Sequence, residues 1–313
     1  MFGFLKKAAV VRGRTGIAIH ETDLALAVVQ NHGQSRPLLE RCELLPLPDG
    51  DTPQAVGNAL RVAQLSAAPI SIVMPTSQYQ LTMVEAPDVP PAELRAAMRW
   101  RLREAIDFPV ADAVIDVFDI PAAGRGGQKR MVYAVVAPRA RVEQQAAALS
   151  HHPSFDTVDI PELALRNLAA LLPASSSGVA LLHIEPQSAT LVLVRDGTFY
   201  LSRRINLQIS VAAAIDGDTA TRFDASSVAL EVQRSLDYYE RNFDQRPITQ
   251  IVVAPVHGLA PEHLATLASE TGLTVVPYDL NDVLDCAVPL SPQLQQSCLL
   301  AVGAALRVER RTL

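Results

Sequence analysis

The sequence predicts an α/β fold of two related lobes, with a small β-α-β-β-α module inserted in the first. Two observations carry this reading: one order of elements, β-β-β-α-β, occurs twice, and the stretch between the copies has an order of its own. Composition supports it. Apolar residues make up 49% of the 313 residues and charged residues 19%, enough to bury a large core and too apolar for a disordered chain.

In the first copy, residues 16–31 read as strand, because Leu24, Leu26 and Val28 alternate as on a covered sheet face. Asn31-His-Gly33-Gln reads as a turn and residues 37–47 as a further strand. Val56, Leu60 and Ala63 carry helical spacing through 52–63, and 70–74 is a short buried-type strand. In the second copy, strands are expected at 178–184, 188–195 and 198–206, with Asp196-Gly197 as a tight turn. A helical region and a strand at 248–254 complete it. Pro173-Ala-Ser-Ser-Ser-Gly178 has the composition of a linker.

The inserted stretch, 79–153, reads as strand 80–85, helix 92–106, strand 113–120, Gly-rich loop 122–129, strand 130–137 and helix 139–150. Leu94, Met98, Leu102 and Ile106 form the buried stripe of its first helix. The expected domains are 1–78 for the first lobe, 79–153 for the module and 154–177 for the return and linker. The second lobe is expected at 178–296, and a C-terminal helix packing on the first lobe at 297–313.

Charge and cysteine content narrow the function. With 27 basic and 33 acidic residues the net charge is −6, which argues against a general nucleic-acid binder. Cys42, Cys286 and Cys298 are too few and too scattered for a disulfide framework or a zinc site, and fit a reducing compartment. No apolar run approaches the ~20 residues of a spanning helix. At the N-terminus the charges follow the apolar residues, the reverse of a signal peptide, so the segment is read as retained.

Four runs carry a family resemblance: Thr15-Gly-Ile-Ala-Ile19; Val84-Glu-Ala-Pro-Asp-Val-Pro90 with Arg99-Trp-Arg-Leu-Arg-Glu-Ala-Ile-Asp-Phe-Pro-Val110; Leu230-Glu-Val-Gln-Arg-Ser-Leu-Asp-Tyr-Tyr239; and Leu300-Ala-Val-Gly-Ala-Ala-Leu-Arg307. The second and third are the specific ones. With them the chain resembles the PilM-like actin-like proteins of type IV pilus assembly, in particular the MshI group of the MSHA (mannose-sensitive haemagglutinin) pilus system. The resemblance implies an actin-like fold of two ribonuclease-H-like lobes. It also implies a cytoplasmic scaffold at the inner membrane, binding the N-terminal tail of a PilN-like (MshJ-like) membrane protein beside other platform components. Membrane contact would be peripheral.

Actin-like clefts hold Mg-nucleotide between two turns, where acidic residues arrange the ion and glycines let backbone N–H groups approach phosphate. The pilus relatives carry roughly Asp-Ile-Gly in both turns. Here the turns read Ala18-Ile19-His20 and His183-Ile184-Glu185, and the nucleoside turn reads Ala254-Pro-Val-His-Gly258. The resemblance therefore implies a remnant cleft (Ala18, His20, His183, Glu185, Gly258) with no catalytic residue, no metal and no cofactor. ATP with Mg²⁺ and a slow ATPase is the alternative. A divergent type II secretion or cell-division component is the third reading, set back by the short polar end Val308–Leu313 and the lack of a spanning helix.

Other residues have two readings each. His183 and Glu185 with His20 and Glu21 are polar strand ends sooner than metal ligands, because an i, i+2 pair defines no ligand geometry. Glu231 and Arg234 make a surface ion pair or, as in the relatives, lie near the nucleoside. Arg95, Arg99 and Arg103 repeat at i, i+4 beside Trp100, either as a solvated face or as a partner-docking surface. Phe2, Phe4, Lys6 and Lys7 suit a membrane interface or a partner groove, or form a plain tail.

Overall fold

The computed structural model describes residues 13–30, 36–65, 67–121, 129–150, 152–207, 224–256 and 259–308. The first lobe opens with β1 (Gly13–Ile19), β2 (Asp23–Gln30), β3 (Leu38–Pro46), α1 (Pro53–Val62) and β4 (Ile70–Val73). The module follows as β5 (Gln80–Glu85), α2 (Pro91–Leu102), β6 (Ala113–Asp119) and β7 (Met131–Pro138). The chain then returns through α3 (Arg139–Ala147), β8 (Phe155–Asp159) and α4 (Pro161–Ala169). The second lobe comprises β9 (Val179–Ile184), β10 (Ser188–Arg195), β11 (Thr198–Asn206), α5 (Ala225–Phe243), β12 (Gln250–Val253), α6 (Pro261–Thr271) and β13 (Thr274–Pro277). A short α7 (Leu280–Val283), β14 (Asp285–Cys286) and α8 (Pro292–Ala305) close the chain.

The two large sheets share a strand order. The first runs β14-β3-β2-β1-β4-β8 and the second β11-β10-β9-β12-β13. In each, an antiparallel meander is extended by parallel strands beside its first strand. Local chemistry sets the helix starts. Thr52 accepts from the N–H of Ala55, Asp224 from Ser227 and Ser291 from Leu294, and Pro follows the cap in α1 and α8.

The sequence reading of 16–31 as one strand is corrected. The chain reverses after Ile19, where the His20 N–H donates to the Asp23 carbonyl at 2.9 Å, and two strands result. Leu24, Ala25, Leu26 and Ala27 are all fully buried. One face meets α1 and the other meets α8, so alternation marks the strand without marking an exposed side.

Packing crosses the expected domain boundaries. Leu149, just past α3, lies in the first-lobe core with Val56, Leu60 and Ile72, while Val142 within α3 packs with Val135 and Phe118 of the module. At the far end, β14 pairs with β3, and α8 begins at Pro292. The Ser-rich stretch 173–178 is no loose linker. It forms a 3₁₀ turn in which buried Ser175 accepts the Gly197 N–H at 3.3 Å and pins the β10–β11 turn.

The module's sheet runs β5-β7-β6. One face packs under α2 through Met98, Leu102, Val132, Ala134 and Val136. The other face meets the second lobe, where Phe118 and Tyr133 stack at 5.4 Å and both contact Phe199 edge-on. Helix α2 stops at Leu102, short of the expected residue 106, and Arg99 donates to the carbonyls of Val110 and Ala113, folding the next segment back along the helix.

Candidate functional site

The turn after β1 and the turn after β9 face each other across the gap between the two sheets. A cavity of about 290 Å³ lies between them, lined by Ala18, His20 and Asp23 on one side and His183 and Glu185 on the other. Thr76, Pro161 and Ser297 contribute to its walls. The structure therefore brings together four of the sequence-predicted cleft residues. Gly258, the fifth, lies outside the described residues, as do Phe2, Phe4, Lys6 and Lys7.

Each turn is held by bonds within its own hairpin. The Glu185 N–H donates to the Ser188 carbonyl at 2.8 Å, and the Ser188 hydroxyl donates to the Glu185 carboxylate at 3.3 Å. The His20 N–H is spent in the same way on Asp23. His20 Nε2 lies 3.0 Å from the Ser297 carbonyl, an acceptor only, so Nε2 carries the proton. His183 is buried. Burial lowers its proton affinity, nearby His20 lowers it further, and Glu185 opposes both. The imidazole is thus neutral at pH 7.

Behind Pro161 sits a feature that sequence reading missed. Glu162, in the first turn of α4, is buried and accepts the Tyr79 hydroxyl at 2.5 Å. Burial raises its carboxyl pKa, and the Tyr79 bond and the Arg204 guanidinium pull the other way. Arg204 donates to the Thr76 carbonyl at 3.0 Å and so links the second lobe to the first beside the cleft. The available signal was an acid just after a strand-ending Ile160-Pro161 step, a position that opens a helix toward a sheet's C-terminal edge.

Chemically, the cleft walls carry two carboxylates, two imidazoles and no Lys or Arg among the lining residues. The amides of His20 and Glu185, at the two turns, are already bonded within their hairpins. Among the described residues no group of three His, Cys, Asp or Glu side chains is placed to hold a metal ion. Among the described lining residues a Mg-polyphosphate would meet the carboxylates of Asp23 and Glu185.

Glu231 and Arg234 do not line this cavity. Glu231 accepts from Arg234 at 2.5 Å and from Arg203 of β11 at 3.0 Å, so the strand under α5 draws the carboxylate away. On α2, Arg95 pairs with Asp116 at 3.0 Å and Arg99 bonds the two carbonyls already described. Two of the three like charges of that stripe are thus compensated by β6 and its approach segment. Arg103 is exposed, and Trp100 is 77% exposed on the side of α2 turned from its core stripe. The buried stripe of α2 packs on the module's own sheet. A second cavity of about 290 Å³ opens between Phe118 and Asp119 of β6, Leu163 and Arg166 of α4, the turn at Gly197–Phe199, and Arg307.

No protein-family model matches the sequence, and no curated protein matches it. Solved structures do. The structure described as a PilM-PilN type IV pilus biogenesis complex aligns at a TM-score of 0.70 and 18% identity, covering 94% of this chain and 98% of that one. A Bacteroides thetaiotaomicron protein with an actin-like ATPase fold and unknown function aligns at 0.50 and 7% identity, over 95% and 99% of the two chains. The cytoplasmic domain of EpsL, an inner-membrane component of the Vibrio cholerae type II secretion system, aligns at 0.45 and 14% identity, over 82% and 93%. Among the described residues no helix is long and apolar enough to cross a membrane. At these identities the likeness is one of fold, and it establishes the chain as an actin-like α/β protein of two lobes.

Proposed function

We propose that this protein is a non-catalytic, PilM-like scaffold of a type IV pilus assembly platform of the MSHA type. On this reading it stands in the cytoplasm at the inner membrane and binds the N-terminal tail of a PilN-like membrane protein. The observation that carries the reading is the near full-length likeness, at a TM-score of 0.70, to the structure described as a PilM-PilN complex. The sequence runs at the cleft and on α2 agree with it. The cleft supports the non-catalytic part, since its turn amides at His20 and Glu185 are internally bonded and its lining charges are acidic.

The tail docks on the open edge of β6. This strand pairs only with β7 among the described strands. Its Val117 N–H donates to the Asp116 carboxylate at 3.0 Å, a side-chain cap that an incoming strand can displace. Arg95 and Arg99 flank that edge through Asp116 and the carbonyls of Val110 and Ala113, and the cavity at Phe118 and Asp119 continues it toward the lobes.

The test titrates a synthetic tail peptide of a PilN-like protein. Val117→Pro removes one edge amide and weakens binding by about tenfold, or ~1.4 kcal/mol. Arg103→Glu weakens it mainly at low salt. Trp100→Ala leaves binding unchanged, whereas its loss would move the site to the outer face of α2. Folded Val117→Pro and Arg103→Glu proteins that both bind like the parent would defeat the assignment. In parallel, the protein releases no phosphate from MgATP above background. Turnover that disappears in Glu185→Ala would establish the ATPase reading instead.

A further inference from the structure

The three cysteines are far apart in sequence, yet the fold collects them in one place. Cys42 lies on β3, Cys286 on the neighbouring β14, and Cys298 in the middle of α8, which packs across the same sheet. All three are free thiols. Cys298 is fully buried, while Cys42 and Cys286 are half-buried. The Cys298 thiol lies 3.7 Å from the Glu43 carbonyl, one residue from Cys42, and the two cysteines pack in one cluster.

We infer that Cys42 and Cys298 are an oxidisable thiol pair, which a hydroperoxide converts to a disulfide tying β3 to α8. The Cys298 side chain already packs against the Cys42 segment of β3 across the strand–helix interface, so bond formation replaces a contact that the fold makes. The pair is also asymmetric in the way such chemistry needs. The Cys298 S–H stabilises Cys42 as thiolate and lowers its proton affinity, against the opposing effects of burial and of Glu43. Cys298 and Cys286 are held as thiols, Cys298 by that same bond and by burial, Cys286 chiefly by burial. Cys42, half-buried where Cys298 is fully buried, is the member a peroxide reaches first and so the nucleophile, and Cys298 is the resolving thiol behind it.

The steps balance. The Cys42 thiolate attacks one peroxide oxygen, the O–O bond breaks, and the departing hydroxide takes up a proton as water, leaving a sulfenic acid on Cys42. The Cys298 sulfur then attacks the Cys42 sulfur. The S–O bond breaks, the S–S bond forms, and the hydroxide leaves with the Cys298 proton as the second water. Two thiols lose two electrons, and the peroxide is reduced to two waters. The residue before Cys298 is Ser297, whose carbonyl holds His20 at the cleft. The crosslink would thus fix the helix that forms one wall of the interlobe cavity.

The experiment uses the full chain, reduced, freed of reductant and treated with hydrogen peroxide. Ellman titration falls from three free thiols to one. Non-reducing peptide mass spectrometry finds Cys42 joined to Cys298, and iodoacetamide labels Cys286 alone. The thermal midpoint rises on oxidation and returns with dithiothreitol. Cys286→Ser keeps the crosslink, and Cys42→Ser loses it and leaves Cys298 unmodified. The mapping rests on the parent protein, so a poorly folded Cys298 variant does not affect it. A crosslink from Cys42 to Cys286 or between two chains would overturn the inference, as would Cys42 advancing to sulfinic acid with Cys298 still free.

Discussion

β3 and β11 hold the same place in their two sheets, third in the meander and outermost, and each would offer an unpaired edge to solvent. The fold closes the two edges differently. Against β3 lies β14, a two-residue strand that follows the second lobe, paired in parallel at Leu38 and Leu39. Against β11 lies the module inserted in the first lobe. There the Tyr133 hydroxyl accepts the Ser202 N–H at 3.2 Å, beside the aromatic contacts with Phe199. Each lobe's edge is covered by chain that belongs, in sequence, with the other. The lobes are cross-braced, and the cleft between them is held by backbone pairing on one side and by aromatic packing on the other.

The largest effect is expected where the first lobe departs from the second at its central strand. Gly16 of β1 pairs beside Ser71, as Ala180 of β9 pairs beside Ile251. A Cβ on Gly16 would stand 1.9 Å from the Ala301 carbonyl oxygen of α8. Both partners are backbone, so Gly16→Ala should cost about 4 kcal/mol or more in urea denaturation. Ala180→Gly costs only about 1 kcal/mol, through strand entropy. Equal losses at the two positions would show that α8 does not sit against β1 as described.

Breaking the aromatic brace is the next effect. Phe199 is buried, and Phe199→Ala should destabilise by about 3 kcal/mol. Tyr133→Phe, which removes only the acceptor for the Ser202 N–H, should cost about 1 kcal/mol. Hydrogen exchange sharpens the comparison. In Tyr133→Phe the Ser202 amide should exchange faster while β3 amides are unchanged, and uniform acceleration would mean that the edge is not braced separately.

The smallest effect separates the helix starts that follow β8 and β13. Glu162 is buried with its pKa raised above the ordinary carboxyl value, whereas Asp279 is exposed and caps α7 by accepting the Asn281 N–H at 2.9 Å. Folded Glu162 holds its proton more tightly than the unfolded chain does. Its contribution to stability is therefore largest at pH values below the unfolded carboxyl pKa and is lost as pH rises through the raised folded value. Glu162→Gln, which does not titrate, should gain stability relative to the parent as pH rises from 4 to 8. Thermal melts across that range check it, and a flat difference would place the charge in solvent.

Much of this was legible beforehand. The repeated β-β-β-α-β order and the stripe of Leu94, Met98 and Leu102 follow from side-chain period, which is a local property. Half of the site was named through the family resemblance, which points to Ala18, His20, His183 and Glu185, although the turn that carries Ala18 and His20 lay hidden in a run read as one strand. Glu162, Tyr79 and Ser297 were not legible. They reach the cleft region from a 3₁₀ turn and two helices whose placement depends on the whole core.

The sequence by itself determined the elements, their order and the duplication, since strand and helix periodicity, caps at Thr52 and Ser291, and the Asp196-Gly197 turn act over a few residues. Tertiary structure alone decided which charges are spent and which thiols meet. Arg99 reads as one charge in a stripe until Val110 and Ala113 accept from it. Glu231 reads as the partner of Arg234 alone until Arg203 joins them. Cys42 and Cys298 read as unrelated until α8 crosses β3. Hydrogen bonds and thiol contacts depend on distances of a few ångströms, and only the packing of distant segments sets those distances.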